Sequence, residues 1–160
     1  MGREEVGMDA REFFGAVRAA AIDAERTRRM LFAMESREGV KAQSYAPRIT
    51  GGKSDPLAVT DARIDREAEW HGRIERAYAL IDEACAVIYG TDGRGGVASL
   101  MGTTTADAMW WRYCDAASWE KVARVTCYSK PHVQRLVYAA LDMVDALGFE
   151  AVKAGEGGAT

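Results

Sequence analysis

The sequence predicts an all-α protein, in which a long antiparallel helical hairpin precedes a compact module of three short helices. Three observations carry this expectation. Good helix formers (Ala, Glu, Arg, Leu, Met) dominate, and strand-like alternation is almost absent. The 160 residues contain only three prolines, at positions 47, 56 and 131. Two long stretches repeat apolar residues every three or four positions, the period at which side chains share one face of a helix.

The first stretch runs from about Asp9 to Glu38. Phe14, Val17, Ala21, Ala24 and Leu31 share its inner face, and Arg11, Arg18, Asp23, Glu25, Arg26, Arg28 and Arg29 fall on the others. Gly39 reads as its stop. A connector over 39–55 holds Pro47, Gly51, Gly52 and Asp55 and has turn chemistry without periodicity. Gly52-Lys53-Ser54 echoes the end of a phosphate-binding loop, but Pro47 stands where its first glycine belongs and no strand precedes it. Asp55-Pro56 then reads as an N-cap followed by proline in the first helical position.

The second stretch, Pro56 to Tyr89, carries a stripe of Trp70, Ile74, Ala77, Ile81, Ala84 and Ile88, spaced like a coiled-coil seam. Neither long helix hides its stripe alone. A hairpin over residues 8–90, joined by the 39–55 connector, is the simplest solution, and Trp70, Ile74, Ile81 and Ile88 are the candidate oligomerisation residues. Arg63, Arg66, Arg73 and Arg76 stand against seven acids in this second helix, a net of −3 that suits protein contacts better than DNA contacts. Gly90–Gly96 reads as a hinge and module boundary, residues 97–150 as the second domain, and 151–160 as a disordered tail.

Within the second domain, Thr103, Thr104 and Thr105 offer caps for a helix ending near Cys114. Ser118 caps a short helix with Trp119, Val122 and Ala123 inward, and Thr126 to Ser129 make a turn. Ser129 caps a further helix over 129–147, with Pro131 in its first turn and Val133, Leu136, Val137, Ala140 and Leu141 inward. Lys130, His132, Gln134, Arg135 and Tyr138 remain outside. This is a helix-turn-helix pattern whose second helix carries donors suited to phosphates and base edges. Over 118–141, Lys121, Arg124, Lys130 and Arg135 oppose Glu120 alone, a local net of +3 in a chain of net charge −3. An overall acidic chain is not one that coats nucleic acid indiscriminately, so DNA binding would have to rest on this local charge. The candidate DNA-binding set is Lys121, Arg124, Ser129, Lys130, His132, Gln134, Arg135 and Tyr138, with Arg135 suited to guanine and Gln134 to adenine.

The stretch resembles the promoter-reading region four of sigma-70 family factors. Glu120, Val122, Ala123, Ser129, Val133, Leu136, Ala140 and Leu141 fall in register with that pattern. Trp111-Arg112-Tyr113, Ser118-Trp119 and Tyr128-Ser129, together with the 43–57 connector, are closer to small phage-encoded and prophage regulators of the RinA/ArpU type. The resemblance is at motif level over about 106–147 and architectural elsewhere. It implies a sequence-specific transcriptional regulator of phage or prophage origin that binds double-stranded DNA, with RNA polymerase as a further partner. Two positions depart from the pattern. Thr126 replaces a hydrophobic core residue, and Cys127 replaces the glycine that takes a left-handed turn.

Other classes are disfavoured. Three widely spaced cysteines, Cys85, Cys114 and Cys127, suggest small buried hydrophobes rather than a disulfide framework. Cys114, Cys127 and His132 lack zinc-ligand spacing, and His71 beside Trp70 reads as a surface or interface histidine. No Ser-His-Asp or Cys-His arrangement is present, so the expectation is no enzyme, no metal and no cofactor. No apolar run approaches the ~18 residues a membrane span needs, and Met1 to Ala10 lacks a signal-peptide core, so no membrane partner and a cytoplasmic location are expected. A homo-oligomer, with a dimer favoured, is expected from the hairpin. The alternative is a phage DNA-packaging component resembling a small terminase subunit, or a protein-interaction module on the same fold.

Overall fold

The computed structural model of the chain describes residues 7–43 and 56–157. Among these residues the protein is all-α, with seven helices and no strand. They are α1 (Ala10–Gln43), α2 (Pro56–Tyr89), α3 (Gly96–Met101), α4 (Thr103–Met109), α5 (Trp119–Thr126), α6 (Lys130–Leu147) and α7 (Phe149–Ala154). A single π-helical turn, Trp110–Cys114, extends α4. Gly39 does not stop α1, which continues to Gln43 because the helix formers after it outweigh the cost of about 1 kcal/mol for one internal glycine. The rest of the expected connector, including Pro47, Gly52-Lys53-Ser54 and the cap at Asp55, lies outside the described residues.

The chain divides into two compact units, one of residues 1–22 and 79–160 and the other of residues 23–78. The division falls inside both long helices rather than at the glycine-rich segment. The cause is the core of the first unit. Phe14 and Val17 from α1, Val87 and Ile88 from α2, Met109 from α4, Val122 from α5, and Val137, Leu141 and Val144 from α6 are fully or almost fully buried in one cluster. Asp145 of α6 accepts a hydrogen bond from the Ala10 amide at 2.7 Å, and Arg11 meets Asp142 at 2.8 Å. A carboxylate at the start of α1 also complements the positive end of its dipole. The Tyr89 hydroxyl donates to Asp107 at 2.7 Å and ties the end of α2 to α4. Burial, and then the bond to Asp107, push this phenol up.

The glycine-rich segment is not a hinge. Gly90, Gly95 and Gly96 are buried, and their backbones pack directly on other backbone. A Cβ on Gly95 would stand 2.1 Å from the Lys153 carbonyl oxygen, and one on Gly96 would stand 2.4 Å from the Gly90 nitrogen. Gly96 also has a φ of +77°, which a side chain tolerates poorly. The partner of Gly95 lies in the stretch expected to be a disordered tail. Residues 149–154 instead form α7, with Val152 fully buried and the Phe149 ring edge-on to Phe13 at 5.1 Å. Only the last three residues of the expected tail, 158–160, fall outside the described residues.

In the second unit, Ala24, Thr27 and Leu31 of α1 are buried, as are Ile74 and Ala77 of α2. Thr27 satisfies its hydroxyl on the Asp23 carbonyl at 2.8 Å. One guanidinium nitrogen of Arg73 reaches both oxygens of Asp23, at 2.6 and 2.8 Å. A pair from one helix to the other was not visible in the sequence, where both residues read as solvated charges. The beginning of α2 has no such cover: residues 59–66 are all exposed, with Val59 and Ile64 among them. No helix among the described residues is long and apolar enough to cross a membrane.

The close approach at Gly95 makes a specific prediction. Gly95→Ala is expected to cost about 3 kcal/mol or more, because neither backbone can give way cheaply. Hydrogen exchange should show α7 amides losing protection first. In contrast, Gly15→Ala, at an exposed α1 position with open space around it, is expected to stabilise by about 0.5–1 kcal/mol. Equal thermal shifts for the two variants would contradict the packing.

Candidate nucleic-acid interface

The interface expected from the sequence is built on α5, the turn 127–129 and α6. Both caps form as anticipated: the Ser118 hydroxyl accepts from the Lys121 amide at 3.2 Å, and the Ser129 hydroxyl accepts from the His132 amide at 3.4 Å. Pro131 occupies the first turn of α6, where no intrahelical donor is needed. Val122, Val133, Val137, Ala140 and Leu141 are buried, and Trp119, Ala123 and Leu136 are partly so. The two departures from the region-four pattern are accommodated locally. Thr126 turns its hydroxyl back to the Val122 carbonyl at 2.7 Å, which leaves no unpaired polar group in a half-buried site. Cys127 takes the left-handed conformation itself, with φ 59° and ψ 32°.

The eight candidate DNA-binding residues share this surface but differ in how free they are. Lys121 is held by Asp115 at 3.1 Å and lies over the Trp111 ring at 4.9 Å. Lys130 is held by Glu120 at 2.8 Å. That bond, and the Lys130 charge, hold the exposed Glu120 carboxyl below its usual range. The pair is therefore favoured at neutral pH and weakens as the carboxyl is protonated in acid. Two of the four cations counted in the sequence are thus matched by acids, one of them Asp115, which lies just outside the counted stretch. The side chains of Arg124 and Arg135 are exposed and make no ion pair or hydrogen bond among the described residues. Gln134 is half-buried and also makes no hydrogen bond there. The His132 ring lies 4.8 Å from that of Tyr128, and the Ser129 hydroxyl is committed to its cap.

Tyr138 is exposed yet also belongs to an aromatic ladder. Arg112 stacks over Trp119 at 4.5 Å, Trp119 meets Tyr138 edge-on at 5.8 Å, and Arg11 covers Tyr138 at 5.6 Å. The ladder joins the π-helical turn, α5, α6 and the start of α1. Trp119 was legible as inward-facing, but Arg112 and Arg11 carried no periodic signal that would have placed them here.

The candidate oligomerisation residues separate. Ile88 is fully buried in the core of the first unit and Ile81 packs against it, while Ile74 is buried in the second unit. Only Trp70 keeps partial exposure without a place in either buried set. Among the described residues of the second unit, the large apolar side chains left exposed are Phe32, at 72%, with Val59, Ile64 and Tyr78. The three cysteines also differ. Cys114 is buried, and burial together with neighbouring Cys85 pushes its thiol up, so it stays neutral, whereas Cys127 is exposed and is not the buried hydrophobe expected. No cluster of three His, Cys, Asp or Glu side chains among the described residues could hold a metal ion. His71 lines a shallow groove with Leu31, Phe32, Ile74 and Tyr78.

The left-handed turn gives a test. Cys127→Val is expected to lose about 1–2 kcal/mol, because a β-branched residue is least tolerant of this conformation. Cys127→Gly should relieve the turn, and the gain is partly offset by extra freedom in the unfolded chain, leaving it within about 1 kcal/mol on the stabilising side. Denaturant midpoints in the order Gly, Cys, Val verify the assignment, and a Val variant as stable as Gly removes it.

Set against family models, curated proteins and solved structures, the chain shows no match.

Proposed function

We propose that the chain is a sequence-specific DNA-binding transcriptional regulator, with the helix over 129–147 lying in the major groove. The observation that carries this reading is the outer surface of α5 and α6. The side chains of Arg124, Gln134 and Arg135 stand there without partners among the described residues, beside a helix that is capped, entered by a fixed turn and backed by a packed core. Arg135 and Gln134 supply base-edge chemistry, and Arg124 supplies a backbone contact. With Lys121 and Lys130 already paired, a single copy offers few free phosphate contacts, so affinity depends on more than one copy. A dimer formed through the second unit supplies the extra copy, and RNA polymerase is the other partner that the sigma-like resemblance implies. Phage or prophage origin rests on that same resemblance.

The test is selection of bound sequences from random duplexes. An enriched motif is expected, and Arg135→Ala should weaken binding by about 1–3 kcal/mol and relax one position of the motif. Glu120→Gln should free Lys130, strengthen binding at low salt and steepen the dependence of log affinity on log salt by about one unit. No enrichment, together with no effect of Arg135→Ala, would sink the reading.

A second reading is a packaging component or protein-interaction module. The exposed Phe32 and Tyr78, which line one shallow groove with Leu31 and Ile74, favour it, because an apolar groove suits self-association or a protein partner. Mass measurement in solution separates the two. A dimer or tetramer supports the regulator, and a closed ring of many copies supports packaging.

A further inference from the structure

The loop Asp115–Ser118 joins the π-helical turn to α5, and two arginines converge on it. Arg112 donates from Nη1 to the Ala117 carbonyl at 3.1 Å. Arg18, far away in sequence on α1, donates from Nη2 to the preceding carbonyl, that of Ala116, at 3.5 Å. Adjacent carbonyls of one loop therefore draw two guanidinium groups into the same neighbourhood. Neither makes an ion pair among the described residues, and the loop's own carboxylate, Asp115, is taken by Lys121. The Arg18 Nε is buried with no hydrogen-bond partner. Both side chains are half-buried, and burial followed by the charge of Arg18 lowers the Arg112 pKa. These two like charges, partly desolvated, donate only to neutral carbonyls, and the carboxylate whose charge reaches Arg112, Glu120, is itself paired with Lys130, so the arrangement is short of negative charge.

We propose that Arg18 and Arg112 form a phosphate-binding site beside this loop. Each guanidinium has five N–H donors and spends one of them on a loop carbonyl. Trp119 covers the face of Arg112 at 4.5 Å, which leaves its in-plane edge for an acceptor. Phosphate oxygens suit such edges, because guanidinium forks bind them with paired, charge-assisted hydrogen bonds. The loop leads directly into α5, and under the reading above the ligand is a backbone phosphodiester of the bound duplex. That assignment of source rests on DNA binding, whereas the phosphate site itself does not. It also supplies a backbone contact that the paired Lys121 and Lys130 do not.

Trp119 reports directly on Arg112, so the full-length protein can be titrated with inorganic phosphate at constant ionic strength while tryptophan fluorescence is followed. A saturable change is expected that chloride does not give and that Trp119→Phe abolishes. Arg18→Gln and Arg112→Gln should each weaken phosphate binding by about tenfold, while Arg112→Lys, which keeps the charge but not the fork, recovers part of it. In duplex titrations at several salt concentrations, each Gln variant should lower the slope of log affinity against log salt by about one. No saturable response to phosphate in the unaltered protein overturns the site, whatever the variants do. Duplex binding with an unchanged slope in both Gln variants overturns the site's role on DNA and leaves the regulator reading standing. Saturable phosphate binding lost in the variants, without any duplex binding, keeps the site, assigns it to a small phosphorylated ligand, and rejects the regulator reading instead.

Discussion

Backbone resting on backbone at Gly90, Gly95 and Gly96 sets where the pieces of the first unit lie. No side chain intervenes between the end of α2, the start of α3 and the last turn of α7. At this spacing, each glycine is required by the absence of a Cβ rather than by flexibility. With those three segments held together, α7 closes over Phe13, α6 delivers Asp145 to the first turn of α1, and α4 offers Asp107 to Tyr89. The α5–α6 surface is built on this frame. Its rigidity comes from a core to which all seven helices contribute, not from the short helices themselves, which at six to eight residues would not persist alone.

The electrostatics of that surface are set by tertiary pairing more than by composition. The sequence count of +3 over 118–141 treats every lysine as available. The fold spends Lys121 on Asp115 and Lys130 on Glu120, residues six and ten positions away. Exposed pairs of this kind add little stability, typically under about 1 kcal/mol, so their main effect is on what the surface presents to a ligand. What remains is a pattern of arginines: Arg124 and Arg135 on the outer surface, and Arg18 with Arg112 around the loop. Arginine keeps its charge when partly buried and presents a planar fork, so the loss of the two lysines changes the surface from diffuse positive potential to a few directional donors.

Legibility followed the range of the interaction. Ser118, Ser129, Pro131 and the inner stripe of α6 were readable because caps and helical period depend only on residues a few positions apart. The left-handed position at Cys127 was expected only through the resemblance, whose pattern has a glycine there. The division of the chain was not. The stripe Trp70–Ile74–Ile81–Ile88 is continuous in sequence, but the fold buries its end in one unit and its middle in the other. Glycines that mark flexibility and glycines that mark close packing are identical in sequence, which is why Gly90–Gly96 read as a hinge. The short helix α7 was missed because its six residues are shorter than two helical periods and end in a glycine-rich stretch. Arg18 and Arg112 gave no signal, since the loop that gathers them exists only once α1 is docked.

The two non-glycine residues with positive φ among the described residues are Ala116 and Cys127, and they bracket α5. Each costs of order 1–2 kcal/mol relative to ordinary backbone, a considerable sum for a helix of eight residues. Such strain persists where the surroundings over-determine it, and it concentrates at sites where direction matters. At Ala116 the over-determination is visible, because arginines hold the carbonyls of Ala116 and Ala117. At Cys127 the turn is closed by the Tyr128 amide on the Ala123 carbonyl at 3.1 Å and by the buried Val122, Val133 and Val137. The direction of α5 is thus fixed at one end by charge and at the other by packing. Neutralising the arginines with an anion would tighten only the first. An anion at the loop would therefore act on how α5 is presented without disturbing the crossing of α5 on α6.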